Sequence, residues 1–111
     1  MTCILIGFLM CTPQMPQQTF LATTSAYVCT LDEECINSAG KRAVIGDLAC
    51  PRGIKLGTKV IMNGDTYTCN DHTALKWNGR YDIFFGYGDE AKDSAITYGL
   101  EVREISVINT P

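Results

Sequence analysis

The sequence predicts a small, mainly β protein: a six-stranded barrel with one short helix before its last strand. Three observations carry that reading. The chain has 111 residues, enough for one domain with one core. Its apolar residues come in short runs bounded by Gly, Pro, Asn and Asp, the pattern of brief strands joined by turns. Only one stretch, "GDEAKDSAITYG", has the periodicity of a helix.

The elements follow in order. Residues 25–29, "SAYVC", form the first candidate strand, followed by a polar loop through Gly40. Residues 42–49, "RAVIGDLA", form the second, ended by Pro51, which cannot donate to a ladder. "TKVIM" and "TYTCN" flank Asn63-Gly64, a pair suited to a tight hairpin because both central residues need positive φ. "RYDIFF" follows Asn78-Gly79. The helix takes Asp89 as its expected N-cap, buries Ala91, Ala95 and Tyr98 on one stripe, and ends at Gly99. "LEVREISVI" closes the barrel; its alternation leaves the inward face open between Leu100, Val102, Glu104, Ser106 and Glu101, Arg103, Ile105, Val107.

Charge is uneven along the chain. Nine Lys and Arg against twelve Asp and Glu leave a net charge of −3, with no basic stripe to follow a phosphate backbone. Nucleic acid is therefore not an expected partner. No charged side chain precedes Asp32. Within that stretch "CILIGFLMC" is apolar, "TPQMPQQT" is polar and "FLATTSA" is rich in small residues. This is the order of a secretory leader, with cleavage expected between Ala22 and Ala26, although a basic start is missing. The apolar run is too short to span a bilayer. Residues 1–23 thus read as a leader-like or disordered segment and residues 24–111 as the folded domain, a monomer secreted or held in the cell envelope.

Six cysteines accord with export. With Cys3 and Cys11 in the leader-like segment, Cys29, Cys35, Cys50 and Cys69 remain, and four cysteines allow three pairings. Cys29 with Cys35 would close a small loop, and Cys50 with Cys69 would then tie two strands. A zinc site is the competing reading, but there is no C-x-x-C and His72 is the single histidine. No metal or other cofactor is expected.

Asp82 is the first candidate for chemistry. In "RYDIFF" side chains alternate between faces, so Tyr81, Ile83 and Phe85 read as core while Arg80, Asp82 and Phe84 share the other face. An ion pair with Arg80 would explain Asp82 without any chemistry. The neighbourhood points further: Asp71 lies eleven residues earlier, with Thr73, Lys76 and Trp77 between. Two carboxylates beside aromatic rings suit a sugar, since rings stack on pyranose faces and a carboxylic acid can protonate a glycosidic oxygen. His72 reads as a loop residue at the rim.

Three blocks, "IKLGTKVIMNG", "YTCND" and "GRYDIFFGYGDEAKDSAITYG", resemble in order and spacing the three-aspartate (3D) domain family, and "TSAYVC" is similar to its opening strand. The resemblance covers residues 24–108. It implies a double-psi β-barrel acting on peptidoglycan glycan strands as a lytic transglycosylase, which cleaves the MurNAc–GlcNAc bond without water and leaves an anhydro sugar. It places the family's catalytic acid on Asp82 and its middle aspartate on Asp71; the residues around them, Thr73, Lys76, Trp77, Arg80 and Phe84, are the expected substrate-binding set. The family's first aspartate falls on Cys50, and both glycines of its middle motif are replaced at Thr73 and Ala74. The resemblance further implies that a Cys50–Cys69 disulfide braces the region where that aspartate would bond. A non-catalytic wall-binding module, as in expansin-like proteins, is the alternative function.

Overall fold

The structure of the chain, a computed structural model, describes residues 2–6, 10–14, 17–32 and 34–109. Strands β1 (Thr2–Ile6) and β2 (Met10–Gln14) pair antiparallel as a separate two-stranded sheet. The others are β3 (Gln17–Cys29), β4 (Asp47–Cys50), β5 (Lys59–Met62), β6 (Asp65–His72), β7 (Tyr81–Tyr87) and β8 (Glu101–Ile108). These six close into a barrel in the order β3-β7-β4-β6-β5-β8, with helix α1 (Gly88–Tyr98) just before β8. β3 runs parallel to β7 and β4 to β6; the remaining neighbours are antiparallel. The closed six-stranded barrel with its single helix is the architecture expected from the sequence.

Several boundaries differ from expectation, each for a physical reason. β3 starts seven residues ahead of Thr24, because Gln17 through Thr24 pair with β8. Residues 17–23 therefore belong to the barrel. Residues 1, 7–9, 15 and 16 of the expected leader-like segment lie outside the described residues, as do 33, 110 and 111. The expected strand at 42–49 shrinks to Asp47–Cys50. Gly46 turns the chain at φ 104°, and the Asp47 carboxylate accepts from the Val44 N–H, closing a loop where a ladder was expected. Helix α1 takes Tyr87, not Asp89, as N-cap; Asp89 and Glu90 sit in its first turn, near the positive end of the dipole. Asn63 and Gly64 do adopt positive φ, 52° and 81°, and join β5 to β6.

The core fills the barrel with Leu48, Val60, Met62, Ile83, Ile105 and Val107 around the Cys50–Cys69 disulfide. Each large aliphatic side chain buried there contributes about 1.5–3 kcal/mol. β8 resolves its ambiguity by turning Ile105 and Val107 inward, while Val102 stays exposed. Helix α1 has no fully buried residue and is held by its end. Arg103 Nε donates to Tyr98 Oη (2.8 Å), which lies 2.6 Å from Thr24 Oγ1, and Thr24 Oγ1 donates to Glu101 O (2.8 Å). Tyr98 also packs edge-on against Phe85 at 5.4 Å.

Burial raises the phenol pKa of Tyr27, Tyr67 and Tyr81 above the usual value. In the unfolded chain these phenols ionise near pH 10; in the barrel they resist ionisation, so their contribution is complete below about pH 10 and is lost as pH rises further. The melting temperature is expected to fall above that pH, with part of the tyrosine absorbance change delayed until unfolding. A flat melting profile through that range would contradict the burial.

Candidate functional site

The carboxylates are brought together by strand register. Ser25 of β3 pairs with Asp82 of β7, Asp82 pairs with Ala49 of β4, and Ala49 pairs with Asp71 of β6. Four adjacent strands thus carry one row: Ser25, Asp82, Ala49, Asp71. The row lies on the face opposite the barrel core, whose cluster takes in the chain neighbours Tyr81, Ile83, Leu48 and Cys50; Ser25 and Ala49 are themselves buried there, and Asp71 and Asp82 are half-buried. Asp71 and Asp82 are two strand spacings apart, roughly 9–10 Å between Cα atoms. Ala49 between them is small enough to leave the floor low.

Asp71 reaches this face through a register shift. In a regular strand Asp71 would share the face of Cys69, which is fully buried. Leu48 pairs with Cys69 but Ala49 pairs with Asp71, so β6 carries one extra residue, Asn70, at this point. The bulge re-aims Asp71 outward, a common device beside functional sites.

Each carboxylate has one oxygen engaged. Ser25 Oγ donates to Asp82 Oδ1 at 2.5 Å. Asp71 Oδ1 accepts from Ser38 Oγ (2.5 Å), Ser38 N–H (3.2 Å) and the His72 N–H (2.9 Å). Among the described residues neither Oδ2 has a hydrogen-bond donor. Arg80 does not pair with Asp82; the one ion pair among the described residues is Arg103 with Glu101.

Residues 34–46 roof the far end of this face. The Cys29–Cys35 disulfide (Cα–Cα 6.3 Å), an Ile36–Arg42 bridge, the bond from Tyr87 Oη to Ala43 O (2.6 Å) and the Ser38–Asp71 contacts fasten that roof. Asp47 lies beneath it, 2% exposed, accepting from Asn37 Nδ2 (3.0 Å), Asn70 Nδ2 (2.9 Å) and Val44 N–H (3.1 Å). Asp47 is a structural carboxylate that knits roof to barrel.

Two of the expected sugar-binding residues need correction. Phe84 shares the face of Asp82 but does not open onto it. It is 2% exposed, with the rings of Tyr27 and Tyr87 each 5.2 Å away, because the roof covers that end. Thr73 is also buried, its N–H bonded to Cys50 O (3.0 Å) and its hydroxyl enclosed without a partner. Lys76, Trp77 and Arg80 do come together, on the turn that enters β7. Arg80 Cζ lies 4.3 Å and Lys76 Nζ 5.3 Å from the Trp77 ring centre. His72 turns away, its Nε2 3.1 Å from Ile54 O.

Sequence reading missed Ser25, Ser38 and Tyr27. The alternation of "TSAYV" places Ser25 and Tyr27 on one face, so a signal existed for both; Ser38 is brought in by the roof and had none. The Tyr27 hydroxyl is buried with no hydrogen-bond partner. Burial, then the nearby charges of Asp71, Asp47 and Asp82, hold this phenol protonated well above its usual range. A buried unpaired hydroxyl costs about 1–3 kcal/mol, so Tyr27→Phe is expected to leave stability unchanged or raise it by up to about 1 kcal/mol. A urea midpoint that falls clearly would instead mean that the hydroxyl is bonded through water.

The larger hollows, two of about 450 Å³, lie between Val28–Asp32 and the start of α1 and around Phe20, Ile54 and Tyr81. Neither is lined by Asp71 or Asp82. Among the described residues no three His, Cys, Asp or Glu side chains gather as a metal site, and no helix is long and apolar enough to cross a membrane. Cys29, Cys35, Cys50 and Cys69 form two disulfides, which removes the zinc alternative.

The fold resembles solved structures of the lytic transglycosylase MltA of Escherichia coli. A variant of that enzyme in an apo form matches with a TM-score of 0.57 and 17% identity, over 74% of this chain and 29% of MltA. Two crystal structures of MltA, one described as revealing a unique lytic transglycosylase fold, match at 0.56 and 18% over the same shares. The likeness is one of fold, and the chain spans less than a third of MltA's length. No protein-family model matches the sequence, and no curated protein does.

Proposed function

We propose that this chain cleaves the glycan strands of peptidoglycan as a lytic transglycosylase, with Asp82 as general acid and then general base. The observation that carries the reading is the register row, in which a half-buried Asp82 has Oδ1 tethered by Ser25 and Oδ2 without a partner among the described residues. The motif resemblance to the three-aspartate domain and the MltA-like fold support it. Protonated at Oδ2, Asp82 gives its proton to the glycosidic oxygen as the C1–O bond breaks. The sugar's own C6 hydroxyl then closes on C1, and its proton returns to Asp82. One carboxyl serves both steps because the nucleophile belongs to the substrate, unlike the two-carboxylate scheme of most glycosidases. Asp71, held by Ser38 and His72, orients the sugar or offsets positive charge at C1. The disulfides fit an oxidising compartment, and the cell envelope holds the substrate.

Incubation with purified sacculi tests the reading: soluble muropeptides are expected one water lighter by mass spectrometry than hydrolysis products. Reducing-end products without the anhydro ring would refute the transglycosylase step. That neither of the two 450 Å³ hollows is lined by Asp71 or Asp82 favours a second reading, a non-catalytic glycan-binding module, for which binding to sacculi without any product is the expected outcome.

A further inference from the structure

The two disulfides differ in what can reach them. Cys50 and Cys69 are fully buried, so a reductant meets that link only when the barrel opens. Cys35 is half-buried, and Cys29 forms part of the wall of the hollow of about 450 Å³ beside the start of α1. The Cys29–Cys35 link also sits at a junction. Cys29 ends β3, the strand that carries Ser25, and Cys35 begins the stretch that covers the face. Beyond Cys35 the roof is a single hydrogen-bonded unit: the Ala43 N–H donates to Cys35 O (2.8 Å) and the Asn37 N–H to Lys41 O (2.8 Å). Within that unit stands Ser38, whose N–H and hydroxyl both hold Asp71 Oδ1.

We infer that Cys29–Cys35 is a thiol–disulfide exchange site that sets how firmly the roof holds Asp71. Its reaction partner is a dithiol. One thiolate of the dithiol attacks the sulfur of Cys35, the more exposed of the pair. The S–S bond breaks, and Cys29 leaves as a thiolate that takes up a proton. The second thiol of the reductant then displaces Cys35, so the chain gains two thiols and the dithiol becomes a disulfide. Without the link, hydrogen bonds and the clustering of Ala43 with Phe84 are what hold the roof down. The roof opens more often, and Asp71 spends more time without Ser38. The oxidised chain, the form that an oxidising compartment maintains, is the one with Asp71 fixed. Its consequence for turnover rests on the glycan reading above; the exchange site itself does not.

The test incubates the native chain with stepped concentrations of dithiothreitol, traps free thiols with iodoacetamide and maps the labels by peptide mass spectrometry. Cys29 and Cys35 are expected to label at least about tenfold faster than Cys50 and Cys69, because only the second pair waits for the barrel to open. Hydrogen exchange is then followed on the chain reduced at the first link alone. Amides of residues 34–46 should exchange roughly tenfold faster, while those of β4 and β6 keep their protection. The double variant Cys29→Ala, Cys35→Ala should show the same fast roof exchange and no further change at that dithiothreitol concentration. Labelling of all four cysteines together, or roof exchange unchanged by reduction, would overturn the exchange site. Product release from sacculi, scored on the same oxidised and reduced samples, should fall on reduction. Equal turnover in both states with a loosened roof would overturn the coupling to Asp71. An oxidised chain that releases no product loses the glycan reading, while the labelling and exchange results still decide the exchange site.

Discussion

Asp82→Asn is expected to end the release of anhydro-muropeptides from sacculi while leaving the fold and glycan binding in place. Asparagine has the size of aspartate and keeps an oxygen to accept from Ser25 Oγ, so the tether of β7 to β3 survives. It has no acidic proton to give the glycosidic oxygen. General-acid catalysis contributes about 10²–10⁴-fold, and the variant should lose at least that much turnover. Asp71→Asn should lose less, because an amide oxygen can still accept from Ser38 and His72 and only the charge is gone. The measurement is product release by each variant, with circular dichroism and thermal melting as folding controls. Full turnover by a folded Asp82→Asn chain would remove Asp82 from the mechanism and leave the row without an acid.

The alternation of "RYDIFF" was enough to place Asp82 off the core, because a strand between two buried neighbours has one place for a carboxylate. The same rule fails for Asp71. Counting by twos from buried Cys69 puts Asp71 inside, and the bulge at Asn70 that turns it outward depends on the pairing with β4, which local sequence does not encode. Phe84 fails differently. Its face is as alternation predicts, but a face is open only where nothing covers it, and the roof of residues 34–46 returns from elsewhere in the chain. Its fastenings, Ser38 to Asp71 and Tyr87 to Ala43, are long-range contacts between ordinary residues. The first half of β3 was missed because its inward residues, Phe20, Ala22 and Thr24, are mostly small and give little hydrophobic rhythm. The hairpin at Asn63-Gly64 was legible because its backbone demand is local and few residues meet it.

Replacing Cys50 and Cys69 together with alanine is expected to lower stability by about 3 kcal/mol, from the loop-closure entropy of a link spanning 19 residues. For a domain of this size the melting temperature should fall by roughly 10–20 °C. The Cα atoms are 5.7 Å apart and both side chains are fully buried, so the link ties the neighbouring strands β4 and β6 on their inner face. Its position gives it a second consequence. Cys50 follows Ala49, the floor of the carboxylate row, and Cys69 immediately precedes the bulge that aims Asp71. The link therefore pins the two strands where the register shift occurs, a place where parallel pairing alone holds them weakly. In the double variant the row should loosen before the barrel unfolds. Turnover of sacculi, measured well below the lowered melting point, should drop more than Asp71→Asn alone drops it. Breaking Cys29–Cys35 instead should spare the barrel and free mainly the roof. Calorimetry on both pairs separates the two links. If the Cys50–Cys69 pair melted within a few degrees of the parent chain, the register shift would be holding itself through the Asp47 and Asp71 hydrogen bonds, and the disulfide would not be what keeps Asp71 beside Asp82.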